Sequence, residues 1–221
     1  MNTDIVFVHT SEVHVQNFDT LISELASNVR VRHVVLSELL TEAQTLGSNH
    51  LQSVHNVQQA MLNAAQSGAK LVVCTCSTIG AAAERTVTNG KFVAARIDRA
   101  MADRAVQLGQ RILIVAALES SLQPTAALIQ ESAEPISRTI TLDYLLVEDA
   151  WERFLVGDMT DYIQVICTAI SAQKKDFDIV VLAQASMAPA VPLLTELGCE
   201  VLSSPRLGVI AALKELELRG T

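Results

Sequence analysis

The chain has 221 residues, half of them hydrophobic, and a formal net charge of −8 at pH 7. It is long and apolar enough for one large or two small packed domains, which excludes an intrinsically disordered chain. The acidic balance, without any cluster of lysine and arginine, argues against nucleic acid or a membrane surface as a partner, and no apolar run approaches the roughly 20 residues that span a bilayer. We expect a soluble, cytoplasmic protein that binds a small molecule.

The first half of the chain predicts alternating strands and helices. Short apolar runs indicate buried strands, and apolar residues three or four positions apart indicate helices. Ser37 and Asp98 are predicted to cap the N-termini of helices, and glycines are predicted to mark helix ends. The predicted strands are Asp4–Val8, Val31–Leu36, Leu71–Thr75 and Phe92–Ala95, and the predicted helices are Val13–Ser27, Ser37 to Gly47, Leu51 to Gly68, Thr78–Val87 and Asp98 to Gly109.

The second half of the chain predicts the same order of elements. Pro124 suits the first turn of a helix, and Asp158 suits the cap of another. The predicted strands are Ile112–Ala116, Ser137–Thr141, Asp178–Leu182 and Glu200–Ser203, and the predicted helices are one beginning at Pro124, then Tyr144–Leu155, one following Asp158, and Leu207–Leu218.

A nearly constant number of residues separates each predicted strand of the first half from the corresponding strand of the second half. An offset kept through four elements indicates an internal duplication. Because strands alternate with helices, each half is predicted to be an α/β, doubly wound, four-stranded parallel sheet flanked by helices. The predicted halves are residues 1–98, with 206–221 packing back on them, and residues 99–205. The paired strand starts lie 107, 106, 108 and 108 positions apart: Ile5 with Ile112, Val31 with Ser137, Leu71 with Ile179, and Val93 with Val201.

Polar residues follow the first and third predicted strands of each half. Ligands of open parallel sheets bind beyond the strand ends where the strand order reverses. Two halves facing one another would place four such ends around one cleft, the predicted active site. One thiol among many hydroxyls is typical of a site for an anionic substrate. The four ends read His9-Thr10-Ser11, Cys76-Ser77-Thr78, Glu119-Ser120-Ser121 and Gln184-Ala185-Ser186.

Cys76 is the predicted catalytic residue. It lies in LVVCTCSTIG, where the strand meets the predicted helix, and a helix N-terminus with nearby hydroxyls lowers the pKa of a thiol. Cys74 falls within the strand and is assigned to the core. His9 is a candidate to deprotonate Cys76 or to hold a substrate carboxylate. The alternatives are a buried structural thiol at Cys76 and a loop hydrogen bond at His9.

Nine further residues are candidates to bind the substrate through hydroxyl or amide groups. Each could instead serve as a helix cap or turn residue, since serine and threonine favour those positions. A salt bridge or a cap explains Arg96 and Asp98 without a function. The nine candidates are Thr10, Ser11, Ser77, Thr78, Ser120, Ser121, Thr125, Gln184 and Ser186.

The sequence indicates neither a cofactor nor a metal. The pair Cys74 and Cys76 lacks histidines at ligand spacing, and the four cysteines are interpreted as reduced thiols. No nucleotide-binding glycine pattern occurs. The lysines fall at strand starts or in helices, which disfavours pyridoxal phosphate.

The duplicated halves, with Cys76-Ser77-Thr78 after the third strand, resemble the aspartate/glutamate racemase superfamily, which includes hydantoin racemases, arylmalonate decarboxylases and maleate isomerases. The resemblance covers essentially the whole chain, and VVCTCSTIG and VVLAQASMAPAVPLL carry it most specifically. It implies cofactor-independent chemistry at the carbon next to a carboxylate of a small acid. In that family two cysteines act on opposite faces of this carbon, and the first matches Cys76. Members are often dimers, so a homodimer is expected.

The position expected for the second cysteine is occupied by Gln184. An amide has no titratable proton near neutral pH, so Gln184 cannot act as a base. Glu119 is a candidate to replace the missing base, although it could be an ordinary exposed carboxylate. The expected activity is that of a racemase-family enzyme with Cys76 as acid/base. The alternatives are a one-thiol decarboxylase or cis–trans isomerase, or a catalytically silent relative that binds an acid.

Overall fold

Two four-stranded parallel sheets form, as the alternation of strands and helices predicts. They are seen in a computed structural model, which describes residues 3–220. The strands are β1 (Ile5–His9), β2 (Val31–Val35), β3 (Leu71–Cys74), β4 (Val93–Arg96), β5 (Arg111–Ala116), β6 (Thr141–Leu146), β7 (Ile179–Leu182) and β8 (Glu200–Ser203). The strand orders are β2-β1-β3-β4 and β6-β5-β7-β8.

Helices connect the strands in both halves, with one difference between the third and fourth strands: the α-helix Gly80–Glu84 lies between β3 and β4, whereas only 3-10 segments lie between β7 and β8. Segments of 3-10 helix follow β3, β5 and β7, at Ser77–Ile79, Glu119–Ser121 and Ala185–Leu193. The α-helices are α1 (Val13–Leu25), α2 (Ser37–Leu46), α3 (Leu51–Ala65), α4 (Gly80–Glu84), α5 (Arg99–Leu108), α6 (Leu122–Ala133), α7 (Glu148–Leu155), α8 (Met159–Ser171) and α9 (Ser204–Gly220).

The described chain divides into two compact units. One contains the chain up to Asp98 and from Pro205 onward, and the other is Arg99–Ser204. In the first unit, α9 packs beside α1 on one face of the sheet, where Val209 and Ala212 join the same cluster as Phe7.

Both faces of each sheet are buried, because successive side chains of a strand point to opposite faces. In the first unit, Val6 and Val72 pack with α2 and α3, whereas Phe7 and Val73 pack with α1 and α9. In the second unit, one face packs with α7 and α8, and Ile114 on the other face is also fully buried.

The second strand of the second half differs from its prediction. The strand predicted at Ser137–Thr141 is instead β6, Thr141–Leu146, and the helix predicted from Tyr144 begins only at Glu148. Ser137 has a left-handed backbone, with φ of 50°, and ends the 3-10 turn Glu134–Ile136. The apolar residues from Leu142 to Leu146 are compatible with a helix as well as with a strand at a sheet edge. Their pairing with β5 makes this segment a strand.

Gly208 marks the closest approach of α9 to the end of β4. A Cβ atom at this position would lie 2.1 Å from the Ile97 carbonyl oxygen and 2.5 Å from the Ile97 Cδ1. The glycine therefore lets the helix backbone pack directly on the chain that follows β4.

Gly208→Ala is expected to lower the free energy of unfolding by about 1–3 kcal/mol, as overpacking does, measured by urea denaturation. Helix propensity alone would have the opposite effect, a gain of about 1 kcal/mol. Ala211→Gly, at an exposed position of the same helix, is the matched control and should cost about 1 kcal/mol. A Gly208→Ala protein more stable than the wild type would contradict the close packing.

Candidate functional site

The order β2-β1-β3-β4 places the ends of β1 and β3 side by side. Val8 pairs with Cys74, and the Thr75 N–H donates to the Val8 carbonyl at 3.0 Å. The chain leaves β1 through Thr10 and β3 through Cys76. These two residues therefore emerge together at the point where the strand order reverses, which is where such sheets bind ligands.

The Cys76 thiol sits among several hydrogen-bond donors. Cys76 is partly exposed, and its backbone is extended, with φ of −101° and ψ of 117°, before the chain turns into Ser77–Ile79. This turn brings the backbone N–H groups of Thr78 and Ile79 to the sulfur, and the Thr10 and Thr78 hydroxyls join them. Burial raises the pKa of the Cys76 thiol, and these hydrogen bonds oppose the rise because they favour the thiolate.

Apart from the Thr10 hydroxyl, the donors at Cys76 come from the turn itself. The helix predicted over Thr78–Val87 is wrong in form: a 3-10 turn precedes α4, which has only five residues. The sulfur is therefore held by specific N–H and hydroxyl groups and not by the dipole of a long helix.

Cys74 lies in the core, as its position in the strand predicts. It is 1% exposed, and its thiol donates to the Cys76 carbonyl over 3.6 Å. Burial, followed by the nearby Cys76, raises the pKa of the Cys74 thiol. This thiol is therefore neutral and inaccessible.

His9 is fully buried at the end of β1, and both of its ring nitrogens have partners. Its Nδ1 lies 2.8 Å from the Thr75 Oγ1, and its Nε2 lies 2.8 Å from the His33 Nδ1. The His33 Nε2 in turn lies 3.0 Å from the Asp19 carboxylate at the surface. Both ring nitrogens of His9 are therefore occupied within this buried chain of contacts, and its predicted role, to deprotonate Cys76 or to hold a substrate carboxylate, stays a prediction.

Aromatic rings enclose these histidines. The His9 and His33 rings stack at a centroid distance of 5.1 Å, and Phe18 packs against His9 at 5.3 Å. His14 contacts the same cluster, and its buried Nδ1 has no hydrogen-bond partner among the described residues. Burial lowers the pKa of His14 to about 4, and burial together with the charges of His14 and His33 lowers the pKa of His9 to about 3.

Gln184 has the position in the second sheet that Cys76 has in the first. Cys74 ends β3 and Leu182 ends β7, and the two strands pair with β1 and β5 in corresponding registers. Cys76 and Gln184 each follow two residues later with an extended backbone, directly before a 3-10 segment. The duplication is therefore visible in the register as well as in the sequence.

The Gln184 amide is engaged within its own unit. Its Oε1 accepts from the buried Ala117 N–H at 2.9 Å, and its Nε2 donates to the Ser121 Oγ at 3.4 Å. Ser186, two residues on, shares a 2.8 Å hydrogen bond with the Tyr162 hydroxyl from α8. Burial raises the pKa of Tyr162 to about 12, so this hydroxyl stays protonated. None of these groups is a base near neutral pH.

The remaining predicted residues lie near the strand ends in varied settings. Glu119 is exposed at the start of its 3-10 turn, with Ser120 following it, and Ser11 is half-buried directly after β1. Ser77 is buried in the turn after Cys76. Thr125 is fully buried in α6, and its hydroxyl has no hydrogen-bond partner within the described part of the chain.

The sequence did not single out three residues that contact this region. Tyr162 matched only the apolar spacing of α8, His33 lies in an edge strand, and Gly80 carried no turn signal. The salt bridge suggested for Arg96 and Asp98 is confirmed and is buried. The sequence signal for this part of the site was an arginine, Arg96, at the end of a predicted strand with an aspartate, Asp98, two residues later.

The fold is shared with solved structures of aspartate and glutamate racemases, as the resemblance predicted. Solved structures similar to this chain include an aspartate racemase from Picrophilus torridus (TM-score 0.70, 13% identity, 98% of this chain and 95% of that one). A glutamate racemase from Bacillus anthracis matches with a TM-score of 0.72 and 14% identity over 99% of this chain and 83% of that one. A variant of arylmalonate decarboxylase with associated sulfate matches at 0.63 and 16%, over 97% and 93%.

These proteins resemble the chain in structure and not in sequence. No family model matches the chain, and no curated protein matches it in sequence. Within residues 3–220, no group of three or more histidine, cysteine, aspartate or glutamate side chains is arranged to hold a metal ion. No helix in the described part of the chain is long and apolar enough to cross a membrane.

The buried histidines give the stability of the protein a defined dependence on pH. Below pH 6.5 the histidines of the unfolded chain take up protons, whereas His9 and His14 in the folded chain stay neutral down to about pH 3 and 4. The unfolded state therefore binds more protons in this interval, and the free energy of unfolding falls as the pH falls from 6.5 to about 4.

His14→Phe is expected to weaken this dependence, because it removes one buried base and the unpartnered Nδ1. The measurement is urea denaturation at intervals between pH 7 and pH 4. His55→Gln, at an exposed histidine of α3, is the matched control and should leave the slope unchanged. A His14→Phe protein with the wild-type slope would refute the assignment of His14 as a buried neutral base.

Proposed function

We propose that this chain is a cofactor-independent enzyme that transfers a proton at the carbon next to the carboxylate of a small acid, with Cys76 as the acid/base. The observation that carries this proposal is the set of hydroxyl and N–H donors around the Cys76 sulfur at the β1/β3 strand ends. The fold supports it, since aspartate and glutamate racemases and a decarboxylase share it.

The chemistry follows from the donors at the thiol. As a thiolate, Cys76 takes the proton from the α-carbon, and the electron pair of the broken C–H bond moves into the carboxylate to form an enediolate. As a thiol, Cys76 returns a proton to the carbon. The Thr10 and Thr78 hydroxyls are suited to bind carboxylate oxygens, and fixed donors stabilise the negative charge that develops there.

The second unit favours a reaction on one face of the carbon. Cys76 is the only thiol at the four predicted strand ends. The Gln184 amide cannot act as a base, and its oxygen already accepts a hydrogen bond from the Ala117 N–H. Loss of carbon dioxide followed by protonation on one face needs one acid, and addition of a thiolate to a double bond needs one nucleophile. Decarboxylation or cis–trans isomerisation is therefore the second candidate, and Gln184 is the observation that favours it.

Cys76→Ala is expected to lower turnover by roughly 100-fold or more, as loss of a general acid/base does. Aspartate, glutamate, substituted malonates and maleate are incubated with the protein in D2O and followed by NMR. The α-carbon signal reports exchange, loss of carbon dioxide or isomerisation. Cys199→Ala, which removes another partly exposed thiol, is the matched control and should retain full activity.

A catalytically silent acid-binding protein would behave differently in the same experiment. No acid would react, and both the wild type and Cys76→Ala would be stabilised against heat by the acid that binds. That pair of results would overturn the proposed enzyme.

Gln184→Cys tests the contribution of the second unit. The shorter side chain removes the acceptor from the buried Ala117 N–H, so the free energy of unfolding should fall by about 1–3 kcal/mol. If Gln184 donates a hydrogen bond to the substrate, KM or turnover changes as well, measured in the NMR assay. Unchanged binding and unchanged turnover would count against a role for Gln184 at the substrate.

A further inference from the structure

A buried ion pair lies directly beneath the turn that follows Cys76. Arg96, the last residue of β4, is 4% exposed and Asp98 is 1% exposed. The Arg96 Nε donates to one Asp98 carboxylate oxygen at 2.6 Å and its Nη2 to the other at 2.9 Å. This two-point contact gives the guanidinium one orientation, because both groups are planar and the pair cannot rotate without losing a hydrogen bond.

The same guanidinium contacts both ends of the turn. Its Nη2 also donates to the Ser77 carbonyl, at 3.4 Å, at the start of the turn. At the other end it packs flat against Gly80: a Cβ atom there would lie 2.8 Å from the Arg96 Nε and 2.9 Å from its Cζ. The backbone of Gly80 is helical, with φ of −58°, so its conformation does not require glycine and the space taken by Arg96 does.

Between these two contacts lie the N–H groups of Thr78 and Ile79 that reach the Cys76 sulfur. We propose that Arg96 is a positioning residue for the thiol: held by Asp98, it clamps the Ser77 carbonyl and the face of Gly80, and so aims the Thr78 and Ile79 N–H groups at the Cys76 sulfur. The proposal deepens the proposed function and depends on it for its catalytic consequence. The effect of Arg96 on the reactivity of the Cys76 thiol does not depend on the proposed function.

The second unit supplies an internal comparison. Arg96 lies opposite Cys74, and the residue in the same register of the second sheet, opposite Leu182, is Ser203. The position that corresponds to Gly80 by the offset of 108 between Cys76 and Gln184 is Ala188. The unit without the cysteine therefore also lacks the arginine and the glycine, which ties the clamp to the thiol and not to the general stability of this fold.

Arg96 acts through contact rather than through its charge. Burial lowers the pKa of the guanidinium, but the Asp98 charge and hydrogen bonds outweigh burial and hold the pKa above its usual value, so Arg96 stays protonated. Asp98 balances that positive charge at hydrogen-bond distance, and Glu84 of α4 adds a second negative charge near the guanidinium, which leaves little net positive field at the sulfur. Displacing the guanidinium should therefore matter as much as removing it.

The experiment measures the rate of Cys76 alkylation by iodoacetamide as a function of pH in the full chain, with mass spectrometry to assign each modified cysteine. Gly80→Ala displaces the guanidinium and leaves both charges, whereas Arg96→Met with Asp98→Asn removes both charges of the pair, and the nearby Glu84 keeps its charge in both proteins. Both proteins should show the midpoint of the Cys76 profile raised by about one pH unit, or roughly tenfold slower alkylation below the midpoint, because the thiolate loses aligned donors.

Two controls separate positioning from stability. Lys175→Met with Asp143→Asn removes an exposed ion pair of the second unit and should leave the Cys76 profile unchanged. Alkylation of the buried Cys74 reports opening of the first unit and that of the buried Cys167 reports opening of the second, and both should stay slow in every variant. Adding Gly80→Ala to the protein that already lacks the ion pair should produce no further shift, since the methyl group then has room.

The outcomes are distinct. A wild-type Cys76 profile in a folded Gly80→Ala or ion-pair variant overturns the proposal, and so does a Cys76 reactivity that rises in step with that of Cys74. A shifted profile together with no turnover of any acid by the wild type upholds the clamp and overturns the proposed function instead.

Discussion

The pairing of β3 between β1 and β4 is the constraint on which the candidate site depends. The pairing with β1 brings Thr10 beside Cys76, and the pairing with β4 brings Arg96 across from Cys74. A shift of either register by one residue would turn every side chain of the strand to the other face. The burial of β3 on both faces makes such a shift costly, so the core of the first unit also sets the geometry of the thiol.

The two units show how one backbone arrangement supports different chemistry. Each sheet has the same order, and each third strand ends in an extended residue before a 3-10 segment. In the first unit that residue is a thiol held by donors from its own turn. In the second it is an amide, Gln184, that accepts a buried backbone N–H and donates to Ser121. The second position is therefore stable and well packed without an acid or base.

Much of the fold could be predicted from the sequence, since apolar runs and glycine or aspartate boundaries are local signals. The strand Glu200–Ser203 is found as predicted, and Asp158 caps α8 through a hydrogen bond to the Asp161 N–H. One exception is β6, where the Leu142–Leu146 segment is compatible with a helix and pairing at a sheet edge decides otherwise. The other is the helix predicted over Thr78–Val87, which is a 3-10 turn followed by the short α4. At the site, the prediction of Cys76 rests on its place at a strand end, which is equally local.

The sequence by itself determined the duplication, the ends of the first and third strands of each half and the place of one thiol among hydroxyls, because each is encoded by neighbouring residues and by an offset that three of the four strand pairs keep. Only the tertiary structure decided which partners each group has. His9 and His33 are 24 positions apart and meet because their strands pair, and Arg96 reaches Gly80 because β4 lies beside β3. Contacts of this kind depend on register and burial, which no local pattern specifies. LVVCTCSTIG predicted a reactive thiol, its own turn and Thr10 supply the donors, and the packing of Arg96 against that turn supplies the proposed clamp.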